Sequence, residues 1–146
     1  VAEHRTEFHY NNVMYLAAGM ATAHDKVFNW ESILQEKLLK PLYMVNTTAN
    51  YLELSHIDNL ATGYYWQEHD QTFYMLPNQN LNNIAPATGI YSNAKDLANW
   101  LSFLLNEGKI DNIQLIKPET LSKLFSPVIT MSDTYSYGLG WYISQY

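Results

Sequence analysis

Apolar residues recur along this chain at helical spacing in four places and at strand-like spacing in three. After Asn12, the residues Val13, Leu16, Ala17, Met20 and Ala21 share one helical face. Tyr15 and Ala18 leave no charged side before His24, so the pattern predicts a helix buried on most sides. Asn29 is placed to cap a second helix, with Trp30, Ile33, Leu34 and Leu38 on its stripe, Glu31, Gln35 and Lys40 off it, and Pro41 at its end. A third helix is predicted over 93–106, where Leu97, Trp100, Leu101, Leu104 and Leu105 repeat at i, i+3, i+4, i+7 and i+8, with Gly108 expected at C′. Pro118 opens a short fourth helix through Leu121, Leu124 and Phe125, which Pro127 stops. Tyr64-Tyr65-Trp66 and Thr72-Phe73-Tyr74-Met75 flank a polar stretch and predict a hairpin. The segment from Tyr137 to Ile143 reads as a strand in need of a partner that the rest of the chain barely supplies.

The expected fold class is therefore mainly α with a minor β component. With 146 residues, no internal repeat and no Pro/Gly-rich linker, residues 1–146 read as one domain or a part of one. A hydrophobic share of 47% against 15% charged predicts a folded chain. The net charge of −6, with no basic cluster, would repel a phosphate backbone, so nucleic acid is not an expected partner. No apolar run reaches the roughly 20 residues of a membrane span, and no signal peptide is visible. Cysteine is absent and the five histidines, His4, His9, His24, His56 and His69, show no ligand pairing, so neither a metal nor a cofactor is expected.

Several short spellings mimic catalytic motifs. Ser92-Asn93-Ala94-Lys95 reads S-x-x-K, a serine nucleophile one helical turn before a lysine base. That chemistry needs a desolvated lysine, because a solvated one is a poor base at neutral pH. Lys95 falls with Asn99, Ser102 and Asn106 on the polar side of the third helix, and Ser92 is predicted instead to cap that helix. Tyr91-Ser92-Asn93 is then an accidental Y-x-N. Ser132-Asp133-Thr134, Ala61-Thr62-Gly63 and Ala87-Thr88-Gly89 resemble S-D-N and K-T-G imperfectly and are expected to be turns. Ser55-His56-Ile57-Asp58 holds the residue types of a triad, but working triads gather from distant segments.

One stretch survives this sorting. Phe8-His9-Tyr10-Asn11-Asn12, followed by the apolar run to Gly19, resembles the F-x-Y-x-N segment that opens a buried helix in the serine β-lactamase-like family. That family includes class C β-lactamases, penicillin-binding carboxypeptidases and related esterases. Three further stretches agree in order. LLKPLYM at Leu38 to Met44 looks like "kPLGM", APATGIYS at Ala85 to Ser92 looks like "PAGGLyST" with Asp96-Leu97 after it, and YGLGW at Tyr137 to Trp141 looks like the strand leading to the third catalytic motif. Tyr43 and Thr88 stand where the family pattern has glycine, a change that bears on turn geometry.

The resemblance implies the helical lobe of a β-lactamase/transpeptidase-like α/β fold lacking most of its sheet, with the family's S-x-x-K upstream of this chain and its K-T-G or H-x-G downstream. It implies that Tyr10 is the phenolate-type general base relaying the serine's proton and that Asn12 orients the substrate amide. A helix N-terminus beside them would favour an anionic phenolate. Tyr10 packing as an ordinary aromatic and Asn12 capping the helix are the plain alternatives. By the same resemblance the full-length parent takes a small-molecule or peptidoglycan-like substrate in a periplasmic or extracellular setting, and this segment alone is expected not to turn over. The face left by the missing sheet is a candidate for self-association. The competing reading is a non-catalytic interaction domain that keeps the helices as a scaffold and binds through aromatic clusters such as Tyr64-Tyr65-Trp66.

Overall fold

The computed structural model describes residue 3, residues 6–23 and residues 29–144. Its backbone falls into two compact units, one made of Val1–Asn11, Leu39–Val45 and Ala94–Tyr146, the other of Asn12–Leu38 and Asn46–Asn93. Helices dominate, and the strands form three small antiparallel sheets among the described residues.

In the second unit, α1 (Asn12–Thr22) packs on the single turn α3 (Ala85–Thr88). Gly19 makes that approach possible: a Cβ there would lie 2.4 Å from Pro86 Cβ and 3.1 Å from Trp30 Cδ1. α2 (Trp30–Leu34) begins as expected, with the Asn29 side chain accepting from the Ser32 amide at 2.9 Å, and then widens into a π-helical turn over Gln35–Leu39. β1 (Gly63–Gln67) and β2 (Thr72–Leu76) form the expected hairpin, pairing Tyr65 with Tyr74 and Trp66 with Phe73. The long connection before α3 is held by asparagines. Asn50 Oδ1 accepts from Leu52 N and from Asn82 Nδ2, both at 3.1 Å, and Asn82 Oδ1 accepts from Tyr51 N at 2.8 Å. These side chains satisfy backbone groups that no sheet ladder reaches.

One expectation for this unit is corrected. α1 is apolar all round but is not buried on most sides: Gly19 is its one buried residue, while Val13, Met14 and Met20 are exposed. The elements of its own unit that meet it are short, so they cover a spot around Gly19 rather than the length of the helix.

The first unit is built around α4 (Ala94–Leu105), whose Phe103 is fully buried, as is Leu42. The expected stripe is only half right. Leu97, Leu101 and Leu105 are exposed, whereas Asp96 and Phe103 are buried, so the inward face is turned by roughly 100° from the centre of the apolar stripe. Periodicity reveals that a helix has a side; the neighbours decide which part of a wide side faces in.

The end of α4 corrects a second point. Glu107 N donates to Leu104 O at 3.1 Å and Gly108 N to Phe103 O at 3.0 Å, which makes Glu107, at φ +55°, the C′ residue and Gly108, at φ +80°, the next. β3 (Lys109–Ile110) and β4 (Ile113–Gln114) follow as a hairpin whose two-residue loop, Asp111 and Asn112, has positive φ at both positions, the type I′ arrangement. Pro118 opens α5 (Pro118–Ser122) as expected, and a 3₁₀ turn over Lys123–Phe125 extends it.

The C-terminal segment is not one strand. β5 (Ile129–Thr130), β6 (Tyr135–Tyr137) and β7 (Tyr142–Ser144) form a three-stranded sheet, and Gly138 to Trp141 is the turn between its last two strands. Gly138 N donates to Trp141 O at 2.8 Å, Gly140 has φ +84°, and a Cβ on Gly138 would come within 2.4 Å of Leu124 O. The two glycines of YGLGW thus let the chain reverse and supply its own partner strand.

Candidate functional site

Tyr10 lies in the coil that precedes α1, and its side chain is 68% exposed. The segment that carries it is nevertheless held. Two residues before, Phe8 sits 4.9 Å from the ring of Tyr137 and 6.3 Å from that of Tyr142, and those two rings lie 5.0 Å from each other in edge-on geometry. Tilted and edge-on rings at these separations are the favoured aromatic arrangements. Tyr137 and Tyr142 are cross-strand partners of β6 and β7, so the sheet itself brings the two rings together. His9 Nε2 lies 3.1 Å from Glu7 Oε2 in the same segment.

Asn12 is the first residue of α1 and is half-buried. Asn11, not Asn12, precedes the helix and holds the flanking position.

The decoys resolve on their own terms. Ser92 Oγ lies 2.7 Å from Thr47 Oγ1, beside the bridge in which Thr48 N donates to Tyr91 O at 3.0 Å and Tyr91 N to Thr48 O at 2.8 Å. Ser92 is therefore not the cap of α4; the helix starts at Ala94, which leaves Asn93 in that place. Lys95 is exposed, as its polar stripe required, and lacks the dry setting that a lysine base needs. Ser132-Asp133-Thr134 forms the loop between β5 and β6, and Ser55 Oγ donates to Leu52 O at 3.0 Å within a short 3₁₀ helix. Among the described residues no cluster of His, Asp and Glu gathers to hold a metal, and no helix is long and apolar enough to cross a membrane. His4 and His24 lie outside the described residues.

The two departures from glycine differ in consequence. Tyr43 adopts φ +56°, the left-handed region that glycine enters freely and tyrosine does not. Its own groups brace it there: its hydroxyl donates to Asp111 Oδ2 at 2.6 Å, and Asn99 Nδ2 donates to its carbonyl at 3.3 Å. The hydrogen bond to Asp111, with that carboxylate's charge and slight burial, raises the Tyr43 phenol above the ordinary value. Thr88 ends α3 without a positive φ, so the missing glycine there costs no backbone strain.

The chain matches a family model described as Beta-lactamase over residues 1–146. Among curated proteins it is similar to Beta-lactamase-like protein 1 of Dictyostelium discoideum, 33% identical over 121 residues, covering 73% of this chain and 19% of that protein. Beta-lactamase-like protein 2 of the same organism is 30% identical over 126 residues, covering 86% of this chain and 22% of that protein. The chain thus spans about a fifth of the length of these curated relatives. Among solved structures, the octameric penicillin-binding protein homologue from Pyrococcus abyssi shares the fold, with a TM-score of 0.83 at 21% identity over 97% of this chain and 31% of that one. The four stretches that suggested a lineage therefore sit inside a match that runs the whole length, and the chain belongs to the beta-lactamase family.

Proposed function

We propose that this chain is the helical lobe of a longer serine hydrolase, which transfers an acyl group from an amide or ester carbonyl to a serine and then to water. Tyr10 is its general base, taking the serine's proton, and Asn12 orients the substrate's amide. The observation that carries this reading is the exposed Tyr10 side chain, set within an F-x-Y-x-N stretch whose Phe8 is seated on Tyr137 and Tyr142. An exposed phenol on a tethered segment is what a proton relay requires: reachable by a reacting group and repeatable in position. The substrate is a small-molecule or peptidoglycan-like acyl donor: a β-lactam, a D-amino-acid peptide or a simple ester.

The test is the acylation rate of the full-length protein with a fluorescent penicillin or fluorophosphonate. Tyr10→Phe keeps the ring and removes the proton acceptor, and labelling is expected to slow by about a hundred- to ten-thousand-fold. An undiminished rate removes Tyr10 from the mechanism. A full-length protein that takes up neither probe supports the non-catalytic interaction domain instead.

A further inference from the structure

We propose that Phe8 is a positioning residue for Tyr10, and that the β6–β7 hairpin, through Tyr137 and Tyr142, is the seat that aims the base. This rests on the reading of Tyr10 given above and extends it to residues with no chemistry of their own.

Tyr10 lies in coil, where no ladder of backbone hydrogen bonds sets its place. A residue in coil is located by whatever holds its neighbours. Phe8 is half-buried against two rings at 4.9 and 6.3 Å, and those rings are locked to each other at 5.0 Å across a paired register. Two residues of chain reach at most about 7 Å, so a fixed Phe8 confines the Tyr10 backbone to a small volume. The seat itself is stiff. Tyr137 and Tyr142 close the turn made by Gly138 to Trp141, where a side chain on Gly138 would strike Leu124 O. The arrangement also gives a physical reason for two of the family-like stretches to coexist: F-x-Y-x-N supplies Phe8, and YGLGW supplies Tyr137 and the reversal that brings Tyr142 alongside it.

The experiment measures acylation of the full-length protein by a fluorescent penicillin or fluorophosphonate, whichever labels the wild type. Phe8→Ala is made in the wild-type and Tyr10→Phe backgrounds, with Phe8→Tyr as the ring-keeping rescue. Loss of the seat is expected to slow acylation by about ten- to a hundred-fold in the wild-type background, since displacements near 1 Å cost that much. It is expected to leave the Tyr10→Phe background unchanged, and Phe8→Tyr to restore most of the rate. Tyr142→Ala reaches the same seat from a 58% exposed position, so it reads the effect if Phe8→Ala fails to fold. Equal slowing in both backgrounds makes Phe8 merely structural and overturns the proposal, as does an unchanged rate in Phe8→Ala and Tyr142→Ala. If Tyr10→Phe itself labels at full speed, the base assignment falls and Phe8's role falls with it. A slow Tyr10→Phe beside a fast Phe8→Ala removes the positioning role alone.

Discussion

Replacing Glu107 by glycine is expected to stabilise this chain, although glycine weakens a helix interior. Glu107 is the C′ residue of α4 at φ +55°, and an L-residue there costs about 1–2 kcal/mol relative to one in the right-handed region. Glycine removes that cost, and its greater freedom in the unfolded chain offsets about 0.5–1 kcal/mol of the gain. The substitution breaks none of the hydrogen bonds at the turn. Glu107 N to Leu104 O, Gly108 N to Phe103 O, and Gln114 Nε2 to Glu107 O at 2.8 Å all use backbone atoms of residue 107 or leave it out. It also takes a carboxylate away from the negative end of the α4 dipole, which contributes about 0.3 kcal/mol more at an exposed site. The net gain is about 1 kcal/mol, a rise in Tm of roughly 3 °C for a chain of this length. Thermal melts of Glu107→Gly and Glu107→Gln separate the two parts: glutamine loses the charge but keeps the Cβ, so it should gain only the dipole increment. Gly108→Ala, one residue on, must go the other way, because its Cβ would meet Ile116 O at 2.5 Å with φ held at +80°. Equal Tm values for the glycine and glutamine variants would refute the assignment of Glu107 to the strained position.

Tyr43→Phe removes the bond to Asp111. Because the phenol's folded-state value is raised above the ordinary 10.0, its contribution to stability is present below that pH and is lost as pH climbs through the raised value. Urea unfolding at pH 7 and at a pH beyond the raised value should show the wild type more stable than the variant only at the lower pH, and a gap that ignores pH would count against the bond. Phe103→Ala empties a fully buried site on α4 and is expected to cost about 3–5 kcal/mol, read as a lower urea midpoint; a loss below 1 kcal/mol would mean that Phe103 is not a core residue.

Features that a few neighbouring residues settle are legible in the sequence itself. Asn29 caps α2 because an amide oxygen three residues before a free backbone N–H needs nothing else, and Pro118 opens α5 because its ring is already shaped for a first helical turn. The aromatic hairpin followed from β-prone runs around a polar turn, and the four family-like stretches were visible because their order along the chain is itself sequence information. The tertiary structure decided what depends on distant partners. α4 presents Asp96 and Phe103 inward rather than the middle of its leucine stripe, since burial follows the neighbours and not the average of the pattern. Tyr43 tolerates a glycine's backbone angle because Asp111 and Asn99 brace it, and neither is near it in sequence. Phe8 and Tyr137 were both in view as letters of separate stretches; that their rings touch is a consequence of β6 and β7 pairing, which no local window contains.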